Sequence, residues 1–102
     1  MDNQVRFLLN LCLRAKKIVT GEEGCEKALA TGTAKLVITS VEASANTKKK
    51  FRNKSLYYDT PFYIYFTKEE IGEALGKGVR TTIAITDEAL ADKVRKWLDD
   101  NS

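Results

Sequence analysis

The chain predicts a three-layer α/β/α fold, with one sheet of four short strands covered by helices on both faces. Three observations carry this expectation. Segments with apolar residues at helical spacing alternate with short β-branched or aromatic runs along the whole length. Residues 35–40 form an apolar stretch of the kind found in strands buried on both faces. Ser44, Thr67 and Asp87 each stand where a helix needs an N-cap. Strands separated by helices rather than by hairpin turns argue for a single covered sheet.

Taken in order, Val5, Leu8, Leu9 and Cys12 recur at helical spacing and predict a first helix over 3–15. Residues 17–20 read as a short strand closed by Gly21. A second helix spans 22–31, its early acids suiting the positive end of the helix dipole and Gly32 stopping it. Strand 35–40 precedes a basic helix from about 45 to 58, anchored by Phe51 with Tyr58. Asp59-Thr-Pro61 is a turn, and 62–66 is an aromatic-rich strand. Thr67 and Glu70 form a capping-box pattern for a helix that turns Ile71, Ala74 and Leu75 inward and ends at Gly76. Strand 80–86 leads to a last helix carrying Leu90, Val94, Trp97 and Leu98, with Trp97 expected against the sheet or the first helix. The charged tail 99–102 is expected to fray.

Composition narrows the function classes. With 102 residues, 43% of them hydrophobic, the chain is expected to be one domain spanning 1–102 with a core of its own. Histidine is absent, which excludes a Ser-His-Asp or Cys-His catalytic pair and imidazole metal sites. Cys12 and Cys25 are too few and too far apart for a zinc site, and they read as reduced thiols of a cytoplasmic protein. Cys25 lies early in a helix, but Glu22, Glu23 and Glu26 oppose a thiolate there, so packing is the better reading. The apolar run 7–13 is interrupted by Asn10 and is too short for a membrane span. No acid–base pair stands out, and neither an enzymatic activity nor a cofactor is expected.

The charge is unevenly placed. Residues 1–58 carry 11 Lys/Arg against 5 Asp/Glu, whereas residues 59–102 carry 6 against 9. Five of those cations, Lys48, Lys49, Lys50, Arg52 and Lys54, fall in the basic helix with no acid between Ala43 and Tyr58. Such a helix presents positive charge around most of its circumference, as either a solvated face or a surface for a polyanion.

Two glycine loops adjoin basic residues. Gly21-Glu-Glu-Gly-Cys-Glu-Lys27 feeds a helix N-terminus, whose free N–H groups favour an acceptor or anion, with Lys27 farther along the same helix. It lacks the spacing of a nucleotide-binding fingerprint, and taken alone it is better read as a plain cap-and-stop role for Gly21. Gly76-Lys-Gly-Val-Arg80 offers two cations, a pliant backbone and one apolar side chain, Val79. It reads as a helix stop followed by a turn, or as a loop that grips a phosphate and covers an unstacked base. If both loops share one end of the sheet, they form one surface.

A broader resemblance joins these pieces. Ile18-Val-Thr-Gly-Glu-Glu23, Lys27-Ala-Leu-Ala-Thr-Gly32, Ala34-Lys-Leu-Val-Ile38, Ala43-Ser-Ala-Asn-Thr-Lys-Lys-Lys50, Tyr57-Tyr58, Pro61 and Ile71-Gly-Glu-Ala-Leu-Gly-Lys77 run in the order seen in the bacterial YlxQ group. That group belongs to the L-seven-Ae ribosomal protein family, whose best-known members bind kink-turn RNA. The resemblance covers nearly the whole chain. It implies an α/β/α sandwich around a small mixed sheet. It also implies an RNA site at the N-terminus of the second helix, flanked by the loop before the last strand. By position, Gly21 matches the glycine that opens the helix, Lys27 a phosphate-contacting lysine and Lys68 a basic residue beside the RNA. Lys77, Gly78, Val79 and Arg80 match the loop that covers an extruded nucleotide.

Kink-turn binders carry Asn-Glu where this chain has Glu23-Gly24, and that pair reads guanine edges of tandem G·A pairs. Ionised Glu23 cannot donate to a guanine O6, and Gly24 has no side chain. Val19 and Thr20 occupy positions that are often basic in those proteins, with Lys16 and Lys17 expected to replace part of that charge. The site expected from the sequence therefore comprises Lys16, Lys17, Gly21, Glu22, Glu23, Gly24, Lys27, Lys68 and Lys77 to Arg80, with the basic helix as a secondary surface. The implied function is non-catalytic binding of a structured RNA, of the ribosomal or kink-turn class, by a monomer with no membrane partner. The alternative is a protein-interaction module of the same fold that docks its basic helix on an acidic partner.

Overall fold

The computed structural model describes residues 1–102 and bears out the layered fold. Its elements are α1 (Asn3–Arg14), β1 (Ile18–Thr20), α2 (Glu22–Ala30), β2 (Leu36–Thr39), α3 (Ala45–Tyr57), β3 (Phe62–Ile64), α4 (Lys68–Ala74), β4 (Thr82–Ile85) and α5 (Glu88–Asn101). The strands form one mixed sheet in the order β1-β4-β2-β3. β4 runs antiparallel to both β1 and β2, and β2 and β3 are parallel.

Alternation along the two central strands divides the core. Leu36, Ile38, Ile83 and Ile85 face a layer built from α1, α4 and α5, where Val5, Leu9, Cys12, Ile71, Val94 and Leu98 are buried. Val37 and Ala84 face the opposite layer, packing with Cys25, Ala28 and Leu29 of α2 and Phe51 of α3. Every residue of β2 and β4 is buried, which is why both runs lack a polar face.

Local chemistry sets the helix starts. Asp2, Ser44, Thr67 and Asp87 each accept from a backbone N–H of the first turn of α1, α3, α4 and α5 respectively, and Thr67 with Glu70 completes a capping box. The N-terminal ammonium of Met1 sits 3.0 Å from the Glu70 carboxylate. Together with the Thr67 backbone N–H, the larger influence, it holds the Glu70 carboxyl below its ordinary range.

Three details differ from expectation or sharpen it. Tyr58 does not anchor α3: it is 40% exposed, and the buried side chains of that helix are Phe51 and Ser55, one turn apart on its inner face. Trp97 packs against the edge of the core layer that α1 and the sheet share, and its ring contacts lie just beyond β3. It stacks on Phe66 with ring centroids 5.8 Å apart and meets Tyr65 edge-on, covering the chain where it leaves β3. The tail expected to fray from residue 99 is helical instead, with α5 running to Asn101. There the Tyr63 hydroxyl donates to Asp99 and the Tyr65 hydroxyl to the Asn101 carbonyl at 3.1 Å.

Both cysteines are free and buried. Desolvation, reinforced by Glu22 and Glu26, pushes the Cys25 thiol up to about 12, and desolvation with Asp87 pushes Cys12 up to about 11. Packing is therefore the role of both. Neither should react with iodoacetamide in the folded protein at neutral pH, and both should react once denaturant is added. Rapid alkylation of Cys25 in the native state, read by mass spectrometry, would contradict this.

Candidate nucleic-acid interface

Four backbone hydrogen bonds knit one end of the sheet into a continuous rim. The Gly21 N–H donates to the Thr82 carbonyl at 3.0 Å, and the Ser40 N–H to Thr81 at 2.7 Å. The Val41 N–H donates to Phe66 at 2.9 Å, and the Arg80 N–H to Lys68 at 3.1 Å. The starts of α2, α3 and α4 and the loop 76–81 before β4 therefore meet at the same place. The two glycine loops do form one surface, as expected if they shared an end of the sheet.

α2 is the exception among the five helices. Its N-cap is Gly21 at φ +88°, and no side chain accepts from its first turn. The left-handed backbone there suits glycine, and the consequence is a set of N–H groups with no side-chain acceptor at the centre of the rim. Gly24 is in the same first turn. A Cβ added to it would lie 3.9 Å from the Val19 Cβ, an ordinary contact, so packing does not demand a glycine there.

The acids of this turn are not equivalent. Lys50 of α3 bridges Glu22 and Glu26, with Nζ 2.7 Å from an oxygen of each. The Thr47 hydroxyl donates to the other Glu22 oxygen at 3.2 Å. The hydrogen bond from Lys50 lowers the Glu22 carboxyl below its ordinary range, and its bonds to Glu22 and then Glu26 raise the Lys50 ammonium. Glu23 is exposed and has no such partner. Lys50 therefore offsets two of the three acids that would otherwise repel an anion at this helix end.

The loop 76–81 is held by a close approach. A Cβ on Gly72 of α4 would fall 2.1 Å from the Gly78 carbonyl oxygen and 3.1 Å from the Val79 Cα, so only glycine lets the loop lie against the helix. Gly76 ends the turn after α4 at φ +65°. The Arg80 guanidinium donates back to the carbonyls of Gly78 at 3.3 Å and Val79 at 2.9 Å, bracing the loop from within. Lys77 and Val79 point outward, Val79 at 54% exposure. The Lys68 N–H donates to Glu42 at 2.9 Å, tying α4 to the β2–α3 connection.

Of the residues expected at the site, Gly21 to Gly24, Lys68 and Lys77 to Arg80 are brought together on the rim. Lys27 is exposed on α2, about 9 Å along the axis from Gly21 and one turn beyond Glu23. Lys16 and Lys17 are not brought there. The Lys17 carbonyl accepts from Thr86 at 2.8 Å, at the far end of β4, so β1 separates them from Gly21 by about 13 Å of extended chain. Sequence reading missed the part played by Lys50, Thr47 and Glu42, all paired across more than 20 residues of chain. Gly72 could have been noticed as a costly glycine inside a short helix.

The sequence model of the "Ribosomal protein L7Ae/L30e/S12e/Gadd45 family" matches residues 3–95. The RNA-binding protein YlxQ of Bacillus subtilis (strain 168) is 38% identical over 92 residues, covering 90% of this chain and 92% of the relative. The RNA-binding protein YlxQ of Enterococcus faecium is 37% identical over 92 residues, covering 90% and 88%. Among solved structures, a protein with unknown function from Bacillus halodurans C superposes with a TM-score of 0.93 at 34% identity, covering 96% of this chain and 99% of that one. The Giardia lamblia 15.5kD RNA binding protein superposes with a TM-score of 0.80 over 98% of this chain and 89% of its own, a likeness of fold at 17% identity.

Two outcomes follow from the rim's geometry. Gly72→Ala should cost about 2 kcal/mol in denaturant unfolding, because the clash is with backbone rather than with a yielding side chain, and should speed tryptic cleavage after Lys77. An unchanged midpoint and unchanged cleavage would mean that the loop does not rest on α4. The second concerns acid. Glu22 has its carboxyl lowered in the folded state, so its stabilisation is present above the ordinary glutamate value of about 4.3 and is lost as the pH falls through the lower folded value. Lys50→Ala should therefore lower the melting temperature at neutral pH and make it less sensitive to acid below about pH 4.3. Parallel melting curves for the two proteins across that range would refute the bridge.

Proposed function

The chain belongs to the ribosomal protein L7Ae/L30e/S12e/Gadd45 family, and from that premise we propose that it is a non-catalytic RNA-binding protein whose site is the rim at the start of α2. The observation that carries the reading is the uncapped α2 N-terminus, set against the braced loop 76–81. Its unclaimed N–H groups can donate to phosphate or to base acceptors, and the helix dipole favours negative charge there. Lys27, Lys68, Lys77 and Arg80 flank it and supply phosphate neutralisation, while exposed Val79 offers an apolar platform for a base turned out of its stack. The names of the YlxQ relatives as RNA-binding proteins support the same class of ligand.

The RNA is a structured one, with ribosomal and kink-turn elements as the classes to test. Glu23 and Gly24 set the specificity. An ionised carboxylate accepts but does not donate, and it repels nearby phosphate. The rim therefore recognises backbone shape and an unstacked nucleotide more than tandem G·A pairs. Catalysis has no part in this reading: no histidine is present, and both thiols are buried and raised.

The test is a pair of substitutions read by fluorescence anisotropy against a kink-turn RNA and a plain duplex. Lys27→Ala should weaken binding by roughly 1 kcal/mol at low salt and flatten the salt dependence by about one unit, as expected for one lost phosphate contact. Glu23→Asn restores a donor–acceptor amide, removes a negative charge, and should improve the kink-turn RNA relative to the duplex. If both leave every RNA affinity unchanged, the rim is not an RNA site, and docking of a protein partner becomes the better account.

A further inference from the structure

The rim uses only the start of α3, and an exposed surface of mixed basic and apolar character lies along the rest of that helix. Its five cations divide into two groups. Lys48 donates to the Val41 carbonyl at 2.7 Å, and Lys50 is committed to Glu22 and Glu26. Lys49, Arg52 and Lys54 form no ion pair within the protein. The outward residues Asn46, Lys49, Arg52, Asn53, Leu56 and Tyr57 are exposed and recur three and four apart, so they form one stripe along the helix.

The far end of that stripe is apolar. Leu56 is 80% exposed and Tyr57 is 81% exposed, although neither is needed by the core. The Tyr57 ring is braced edge-on by Tyr58, with centroids 4.9 Å apart and planes at 89°, which leaves ring surface open to solvent. The near end starts at the rim, where Thr47 touches Glu22. From Lys49 to Tyr57 the helix rises about 12 Å, a span that a few nucleotides of extended strand cover.

We propose that this stripe is a track for single-stranded RNA leading away from the structured element seated at the rim. Lys49 and Arg52, helped by Lys54, neutralise successive phosphates, and the strand ends by stacking an unpaired base on Tyr57 beside Leu56. An acidic protein would also answer the charge. The stripe favours a nucleic acid because its apolar end is an exposed aromatic ring on the same helix as the free cations, the combination that holds unstacked bases without reading their sequence. The proposal rests on the RNA reading of the rim but uses different residues, so the two can fail separately.

The test uses a labelled oligouridine of about twelve nucleotides, long enough to follow the track. Wild type should bind it weakly and with steep salt dependence. Tyr57→Ala should weaken binding by about tenfold. Lys49→Glu with Arg52→Glu should abolish it at moderate salt, and their neutral counterparts Lys49→Gln and Arg52→Gln should lower the salt slope by about 1.4, the value of two phosphates on a single strand. Lys27→Ala, which removes a cation on α2 that flanks the rim and lies outside the stripe, should leave oligouridine binding unchanged while weakening a kink-turn stem-loop. All these side chains are exposed, and melting temperatures should stay within a degree or two of wild type. Oligouridine binding indifferent to Tyr57 and to the paired substitutions would overturn the track, whatever the stem-loop does. A polyglutamate that displaces oligouridine and binds equally to wild type and Tyr57→Ala would overturn it in favour of an acidic protein partner. Loss of stem-loop binding alone in Lys27→Ala, with the track variants silent, would leave the rim standing and remove the track.

Discussion

The rest of the molecule depends on where the last strand is placed. β4 enters between β1 and β2, pairing Thr20 with Ile83 on one side and Thr39 with Thr82 on the other. An edge position would have left the loop 76–81 far from the start of α2. In the centre, β4 begins where β1 and β2 both end, because it runs antiparallel to each. The pairing that completes the core is therefore the one that sets Gly78, Val79 and Arg80 beside Gly21. Ala84 contributes to the layer under α2, where its small side chain packs with Cys25, Ala28 and Leu29.

Electrostatics on the rim is a balance between two helices. α2 carries acids at its positive end, which stabilises the helix but opposes an anionic ligand. α3 packs alongside and returns a cation, Lys50, to two of those acids. The exchange leaves Glu23 as the one uncompensated negative group in the first turn. It also removes Lys50 from the set of cations available to a partner, so the helix is less basic toward solvent than its composition suggests. A surface pair of this kind contributes little to stability, and its larger effect is on the field that an approaching phosphate meets.

Some of the strain and incomplete satisfaction in the fold falls near the same end of the sheet, although Lys16 and Asp59 also adopt positive φ and Arg6 and Ser55 also keep unpartnered buried atoms elsewhere. Phe66 adopts φ +64°, uncommon for a bulky residue, where the chain turns from β3 into α4 while its ring stacks on Trp97. Thr39 and Thr82, cross-strand partners at the rim, keep buried hydroxyls without a hydrogen-bond partner. Gly72 gives up helix propensity to let a loop carbonyl approach its Cα. Each is a local cost carried by the surrounding core, and each lies where the rim is assembled.

Much of the fold was legible because it is written in local chemistry. The caps Ser44, Thr67 and Asp87, the stops at Gly32 and Gly76, and the predominantly apolar runs of β2 and β4 act over a few residues, and periodicity separates the helices from the strands. The glycine loops and the basic helix were equally visible as candidate surfaces. Where prediction went astray, the deciding contact was distant. Tyr58 looked like an anchor by its aromatic character, but the direction of α3 turned Phe51 and Ser55 inward instead. Lys16 and Lys17 are close to Gly21 in sequence, yet an extended strand carries them to the opposite end of the sheet. The terminal tail is tied to two tyrosines of the β3 segment more than 30 residues away. By itself, the sequence determined which elements form and which cations exist, because propensity, capping and periodicity are short-range. Only the tertiary structure decided which of those cations remain free and which loops share a surface, because strand order and the pairing of Lys50 with Glu22 and Glu26 join residues that no local pattern connects.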